Sequence, residues 1–172
     1  MHYGAIKRRD IANGPGVRVS LFVSGCTHHC PGCFNADTWD FDYGEPFTEE
    51  TAREIEALMS PDFICGLSLL GGEPMEVQNQ AVLLPLLRRL KTAYPTKTVW
   101  CYSGYTLEEL LGDSRARCEH TDEMLSLIDV LVDGRFVLAK KDIRLRFRGS
   151  ANQRLIDLGK TREKGEIVLW DD

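Results

Sequence analysis

Residues 17–33 read VRVSLFVSGCTHHCPGC. The segment 17–24 alternates and is rich in β-branched and aromatic side chains, which predicts a β-strand. Gly25 ends this strand, and Cys26, Cys30 and Cys33 follow it with the spacing C-x3-C-x2-C. The sequence therefore predicts a loop with three cysteines at the carboxyl end of a strand.

The rest of the chain alternates between strand and helix patterns. Short apolar runs predict further strands at 66–70, 96–102 and 128–132. Apolar positions at helical spacing predict helices after Thr48, from about 81 to 94, at 107–111 and at 122–127. This alternation is typical of an α/β fold in which helices cover a parallel sheet.

Polar residues and glycines stand where the predicted strands end. After the cysteine loop, they are Gly71, Gly72 and Glu73, then Ser103, then Asp133. The carboxyl ends of parallel strands lie at one edge of the sheet, where ligands bind in α/β folds. Paired glycines let a ligand approach the backbone closely, although a plain turn would also explain them. Ser103 and Asp133 can likewise be explained as ordinary turn or helix-cap residues. We expect these residues to share one site.

Three clustered cysteines indicate a soft metal or an iron–sulfur cluster. A four-iron cluster normally takes four cysteines, and no fourth lies near this loop, so one iron would stay open to another ligand. The alternative is zinc, held by the three cysteines with His28 or His29. Four zinc ligands in so short a loop would be cramped, so the spacing favours the cluster, with both histidines on the loop surface or beside the ligands.

The remaining cysteines are scattered singly, which argues against a disulfide framework. Cys65 and Cys101 have apolar neighbours and are expected to be buried thiols. Cys118 is expected to be an inert surface thiol.

The chain has 172 residues, 43% hydrophobic and 27% charged, which suits one soluble globular domain over 1–172. Neither a signal peptide nor a membrane span is expected, so the expected location is the cytoplasm. The net charge of −5 argues against nucleic-acid binding. Residues 135–164 are basic, however, with ten Lys and Arg against three acidic residues.

Six motifs together resemble the activating enzymes of anaerobic (class III) ribonucleotide reductase, within the radical S-adenosylmethionine (SAM) superfamily. They are NGPGVR at 13–18, CPGCFN at 30–35, LGGEP at 70–74, SGY at 103–105, VDGRF at 132–136 and RGSANQ at 148–153. The cysteine spacing alone indicates the superfamily, whereas the ordered set is more specific and spans nearly the whole chain.

The resemblance implies an incomplete β/α barrel with a curved, mostly parallel sheet. It implies one 4Fe-4S cluster on Cys26, Cys30 and Cys33, with SAM on the free iron. Reductive cleavage of SAM would give a 5′-deoxyadenosyl radical, which takes a hydrogen atom from a glycine of the reductase catalytic subunit. Reduced flavodoxin or a similar carrier would supply the electron.

The resemblance also assigns SAM contacts, namely to Gly32, Cys33, Phe34, Gly71, Gly72, Glu73, Ser103, Asp133 and Arg148. Many superfamily members carry an aromatic residue against adenine at the position of Gly32, so the backbone or Phe34 would take that contact. Alternation over 143–148 predicts a strand with an arginine face. Arg148 is expected to point inward, and Arg144 and Arg146 to face solvent or an acidic partner.

Several functional alternatives remain open. The close ones are activation of another glycyl radical enzyme, such as a formate-lyase type, and radical SAM chemistry on a small molecule. A ferredoxin-like electron carrier and a structural zinc module are alternatives of a different class, and neither needs a SAM pocket.

Overall fold

The computed structural model describes residues 1–171. The strands are β1 His2–Asp10, β2 Val17–Val23, β3 Glu45–Pro46, β4 Ile64–Gly71, β5 Thr98–Tyr102, β6 Val130–Asp133 and β7 Arg154–Asp157. The α-helices are α1 Glu49–Leu58, α2 Val77–Ala93, α3 Leu107–Leu111, α4 Thr121–Leu127 and α5 Leu158–Lys164.

The strands form one sheet in the order β3-β1-β2-β4-β5-β6-β7. The central strands β2, β4, β5 and β6 are parallel, whereas β1, β3 and β7 run antiparallel to their neighbours. β3 and β7 lie at opposite edges, so the sheet is mixed, largely parallel and not closed. The predicted α/β class and parallel sheet core are therefore confirmed.

Alternation along the strands divides the sheet into two faces. Val99 and Cys101 of β5 belong to the main core, together with Ile55 of α1 and Leu83 of α2. Trp100 lies between these two β5 residues and points to the opposite face. The helices thus cover one face, and the other is left to different segments.

A smaller aromatic cluster occupies the second face. The Trp100 ring packs edge-on against Phe147 and Trp170, with ring centres 5.4 and 5.0 Å apart. Val130 and Val132 of β6 complete the cluster. The loop around Phe147 and the C-terminal residues therefore cover this face, and a cavity lies beside them, also lined by Phe147.

The helix ends follow local chemistry. Thr48 accepts a hydrogen bond from the backbone of Thr51 and forms a capping box at the start of α1. Helix α2 begins at Val77, earlier than predicted, so Pro85 lies inside it. Proline has no backbone N–H, so the carbonyl group four residues before Pro85 lacks its usual helical hydrogen bond. Pro85 lies on the exposed side of the helix, where water can solvate that carbonyl group. Among residues 1–171, the helices are too short or too polar to cross a bilayer.

The predicted strand over 143–148 is wrong, because these residues form turns. The Asp142 carboxylate accepts a hydrogen bond from the Arg144 backbone N at 2.9 Å and also pairs with the Arg144 guanidinium. Such local bonds bend a chain away from an extended strand. Lys141 and Ser150 form an isolated bridge that closes the segment into a loop.

The isolated cysteines differ in their outcomes. Cys101 is fully buried in the main core, as predicted. The prediction for Cys65 is wrong, because it lies at the amino end of β4, outside the core, and is exposed. Cys118 is half-buried, and its thiol donates to Oε1 of Gln80 at 3.4 Å.

Candidate cluster and cofactor site

The carboxyl ends of β2, β4 and β5 and the segment after β6 meet around a cavity of about 510 Å³. Of the predicted site residues, its lining includes Cys26, Cys30, Cys33, Phe34, Gly71, Gly72, Glu73, Ser103 and Arg148. Gly32 and Asp133 are outside the lining. Small-molecule sites typically have volumes of about 300–1,000 Å³, so this cavity can hold a cofactor.

The cysteine loop is fastened to neighbouring segments. The backbone N of Cys26 donates to the carbonyl O of Trp39 at 3.1 Å. The backbone N and the hydroxyl of Thr27 both donate to Oε1 of Glu76, at 2.8 and 2.6 Å. These bonds fix the start of the loop at the end of β2. Cys26 is buried, while Cys30 and Cys33 are partly exposed.

Burial governs the chemistry of these thiols. Desolvation raises the pKa of Cys26 to about 12 and also raises the pKa of Cys30. The thiolate is the form that binds metal, so a positively charged centre is needed to stabilise it in this setting. Burial therefore argues against Cys26 and Cys30 acting as free nucleophilic thiolates.

The arrangement of the thiols bears on the kind of centre. Within residues 1–171, no group of three or more His, Cys, Asp and Glu side chains is arranged to hold a metal ion directly. In a four-iron cluster each cysteine binds a different iron, so the thiolates need not converge on one point. Cys26, Cys30 and Cys33 all line the same cavity.

The Glu73 carboxylate is only 1% exposed and joins three segments. Oε1 accepts hydrogen bonds from the Met75 backbone N at 2.8 Å and from Oγ of Ser103 at 2.9 Å. Oε2 lies 2.7 Å from the Gly104 backbone N and 3.0 Å from Nε2 of His28. A carboxylate offers about four lone-pair sites, so these donors fill it. Glu73 thus ties the ends of β4 and β5 to the cysteine loop.

The sequence did not decide whether His28 lies on the surface of the loop or beside the cysteines, and the structure shows that it is buried. Its side chain is 2% exposed, and its ring packs edge-on against Tyr105 with centres 4.4 Å apart. Nδ1 of His28 accepts a hydrogen bond from Nε of Arg135 at 3.2 Å. His29 is exposed and stacks on Trp39. The two neighbouring histidines therefore differ, and only His28 reaches the strand ends.

The glycine pair is required by the chain's own backbone. A Cβ on Gly72 would lie 2.7 Å from the carbonyl O of Gly25 and 2.9 Å from that of Thr38. Gly71 has φ of 102°, and a Cβ there would lie 2.7 Å from the carbonyl O of Val23. The pair lets the end of β4 pack closely against the segments beside the cysteine loop.

Asp133 and Gly32 support neighbouring elements. The buried carboxylate of Asp133 accepts hydrogen bonds from the Leu107 backbone N at 2.8 Å and from Nε of Arg154 at 2.9 Å. It therefore holds the start of α3 and pairs with a strand β7 residue. Gly32 has φ of 74° and lies against the side chain of Leu138.

Arg148 and Phe34 also line the cavity. Nη1 of Arg148 donates to the carbonyl O of Gln153 at 2.6 Å. Phe34 is 63% exposed and packs against Phe136, with ring centres 5.1 Å apart. Arg144, by contrast, is 87% exposed, which agrees with the expected difference between the two arginines.

Sequence reasoning missed two further residues of the lining. In the described part of the chain, Oη of Tyr102 and Nε1 of Trp39 are buried without a hydrogen-bond partner. Such groups normally find a partner, so they suit a cavity that takes a polar ligand. Strand alternation could have indicated Tyr102, because it shares a face with Trp100. No pattern marks Trp39.

Known proteins are similar to this chain over most of its length. Residues 12–156 match the family described as a 4Fe-4S single cluster domain. The chain is 45% identical to the anaerobic ribonucleoside-triphosphate reductase-activating protein of Pasteurella multocida (strain Pm70), over 89% of this chain and 95% of that protein. The protein of the same name from Escherichia coli (strain K12) is 43% identical, over 89% of this chain and 96% of that protein. The one from Enterobacteria phage T4 is 39% identical, over 90% of this chain and 93% of that protein. The chain therefore belongs to the family of anaerobic ribonucleoside-triphosphate reductase-activating proteins.

Proposed function

We propose that this chain activates an anaerobic ribonucleoside-triphosphate reductase by generating a glycyl radical on its catalytic subunit. The observation that carries this proposal is the placement of Cys26, Cys30 and Cys33 on the wall of one cavity at the strand ends. Relatives at 39–45% identity are named as activating proteins of that reductase. The reductase is therefore the protein substrate.

The three cysteines would hold a 4Fe-4S cluster, leaving one iron for SAM. When bound, the cluster and SAM supply an electron and, on cleavage of the sulfonium bond, a carbon radical that removes a hydrogen atom from a glycine Cα. The thiols suit the cluster, and the unpartnered polar atoms of Tyr102 and Trp39 suit a polar cofactor in the same cavity.

The chain's own residues would bind and orient SAM. The Glu73 carboxylate is filled by protein donors, so it would favour the cationic amino group of SAM through its charge, while the backbone carbonyl groups of Gly71 and Gly72 would accept the hydrogen bonds. Arg148, which also lines the cavity, would attract the SAM carboxylate. Groups of opposite charge in the lining would give the amino-acid part of SAM one preferred orientation.

The adenosine part would lie along the remaining lining. Phe34 offers an aromatic surface, Cys33 the adjoining backbone, and Ser103 a hydroxyl group. Gly32 lies outside the lining and would act only through the turn that places Cys33 and Phe34. Ser103 is hydrogen-bonded to Glu73. Asp133 would act indirectly, by holding the start of α3 in place.

The unclosed sheet would be an incomplete barrel of the radical SAM type. Lys7 and Asn13, from β1 and the turn after it, line the same cavity as Ile143 and Leu145 from the loop that follows β6. Because β3 and β7 do not pair, the sheet leaves a side through which a protein loop with the target glycine could enter.

Reduced flavodoxin or a similar carrier would supply the electron. Cys30 and Cys33 are partly exposed, so a cluster on this loop would lie near the surface. A protein carrier could then approach it without opening the fold.

The test is anaerobic reconstitution with iron and sulfide, followed by addition of SAM, a reductant and the reductase. We expect methionine and 5′-deoxyadenosine to be released, and electron paramagnetic resonance (EPR) to show a glycyl radical on the reductase. A formate-lyase type enzyme in place of the reductase is the matched control. A colourless zinc protein, a cluster that does not respond to SAM, or a radical on the control enzyme alone would contradict the proposal.

A further inference from the structure

We infer that His28 is a positioning residue that locks the cysteine loop onto Glu73, and that its Nε2 atom performs this role. The inference rests on the proposed function, because it concerns how the cluster-bearing loop is held relative to the SAM site. Nε2 lies 3.0 Å from Oε2 of Glu73, and both side chains are almost completely buried.

The neighbours of His28 determine which nitrogen carries the proton. An arginine guanidinium is only a donor, so Nδ1 of His28 must accept the hydrogen bond from Nε of Arg135. The proton of the neutral ring then lies on Nε2 and is donated to the Glu73 carboxylate. Arg135 also donates to Oε1 of Glu109 at 3.4 Å, which connects it to α3. The ring is thus held at both nitrogens.

The His28 ring occupies a preformed space. A Cβ on Gly104 would lie 2.5 Å from the ring, so the glycine leaves room for the imidazole. Tyr105 packs against the ring, as described above. Little space is left for another orientation, so the ring fixes both the distance and the direction between the loop and Glu73.

Of the four hydrogen bonds to the Glu73 carboxylate, the one from His28 comes from the cysteine loop. The other three donors, Met75, Ser103 and Gly104, belong to the turn after β4 or the end of β5. His28 lies between Cys26 and Cys30 in the chain and links Glu73 directly to the residues that would hold the cluster. Groups that orient metal ligands in this way strongly affect the affinity and reactivity of the site.

Loss of the contact between His28 and Glu73 should therefore affect SAM binding but not cluster assembly. The three thiols remain in His28 variants, so the cluster should still assemble. The start of the loop would keep its Thr27 bonds to Glu76, but the loop would lose its direct bond to the Glu73 carboxylate, so the free iron and the SAM amino-acid site would be misaligned. SAM binding should fall while iron content is kept.

Three substitutions test which atom matters. His28→Gln can place an amide N–H near the position of Nε2, whereas His28→Asn reaches only the position of Nδ1, and His28→Ala removes both. The matched control is His29→Asn. His29 has φ of 49°, a backbone conformation that asparagine tolerates.

The measurements, on reconstituted full-length protein, are iron per chain, SAM affinity, and the EPR spectrum of the reduced cluster with and without SAM. We expect His28→Ala and His28→Asn to keep their iron and to bind SAM about 10-fold more weakly or worse. His28→Gln should stay close to the wild type, and His29→Asn should match it. The SAM-induced change in the spectrum should be lost in the two weak variants and kept in the other two.

Several outcomes would overturn the inference. Normal SAM affinity and a normal spectrum in His28→Ala would show that His28 does not position the loop. An equal loss of SAM affinity in His28→Gln and His28→Asn would show that Nε2 is not the atom responsible. Failure of all three His28 variants to fold, judged by circular dichroism, would show a purely structural role. If the wild-type cluster itself ignores SAM, the proposed function fails instead, so the two failures are distinguishable.

Discussion

The guanidinium carbon of Arg18 lies 5.6 Å from the centre of the Trp100 ring, and both side chains are buried. Arg18 donates hydrogen bonds to Oγ of Ser68, to Oγ1 and the carbonyl O of Thr98, and to the carbonyl O of Leu67. These partners are neutral oxygens, and burial lowers the Arg18 pKa to about 10. One buried cation therefore joins β2, β4 and β5 on the face beneath the cavity.

The first prediction concerns this cation. Arg18→Met should lower the free energy of unfolding by about 3 kcal/mol, because the buried hydroxyl of Ser68 and the buried carbonyl group of Leu67 lose a charged donor. The control is Arg8→Met, since Arg8 is 70% exposed and its pair with Glu54 should contribute less than about 1 kcal/mol. Urea unfolding measures both. Equal effects in the two variants would show that the Arg18 network does not stabilise the sheet.

The success of sequence analysis varied between strands for physical reasons. β2 and β4 are central, and their alternating or apolar sequences reflect burial on both faces. β1 was missed because HYGAIKRRD is mostly exposed and lacks a strand pattern. β7 is only four residues long. At 143–148 the alternation was real, but hydrogen bonds between Asp142 and Arg144 formed turns instead.

Several residues of the site could be predicted from the sequence, but their contacts with one another could not. The cysteine loop and Ser103 were placed together because parallel strand ends meet at one edge. The contact between His28 and Glu73 joins residues 45 positions apart, and no local pattern encodes it. The glycine pair was recognised, but its packing against Gly25 depends on the tertiary fold.

The second prediction assigns the cluster ligands. Alanine at Cys26, Cys30 or Cys33 should abolish the SAM-responsive cluster, because each substitution removes one of the three proposed ligands. Cys65→Ala should keep the cluster and the stability, since Cys65 is exposed. Cys101→Ala should keep the cluster but lose about 1 kcal/mol, because the thiol fills core volume. Iron analysis and EPR measure the cluster. Loss of iron in the Cys65 variant would overturn the assignment.

The third prediction concerns the close approach at Gly72. Gly72→Ala should lower the free energy of unfolding by about 1–3 kcal/mol and reduce iron incorporation, because its Cβ meets the carbonyl groups of Gly25 and Thr38. Gly159→Ala is the control. The nearest atom to that Cβ is Oδ1 of Asp157 at 3.4 Å, and alanine favours the helix. A Gly72 variant with normal stability and weak SAM affinity alone would show that the glycine serves the ligand.

The fourth prediction concerns acid stability. Two hydrogen bonds from the Arg154 guanidinium to the Glu108 carboxylate lower its pKa from 4.5 to about 2. A carboxyl group with a lowered pKa stabilises the fold above its unfolded pKa, and this stability is lost as the pH falls from 4.5 towards 2. Glu108→Gln should flatten the pH dependence of unfolding in that window, whereas Glu166→Gln, at an exposed residue, should not. Parallel curves for both variants and the wild type would contradict the role of this pair.

The fifth prediction compares Arg144 and Arg148, two of the arginines in the loop that follows β6. Arg144 is 87% exposed, so Arg144→Glu should weaken binding of the reductase by about 1 kcal/mol at most, and less as salt is raised. It should leave SAM cleavage with a chemical reductant unchanged. Arg148 lines the cavity, so Arg148→Glu should impair that cleavage even without the reductase, because it places a negative charge near the SAM carboxylate. Both assays are needed on each folded variant. If Arg148→Glu cleaves SAM normally while Arg144→Glu does not, the exposed arginine rather than the cavity arginine serves the cofactor.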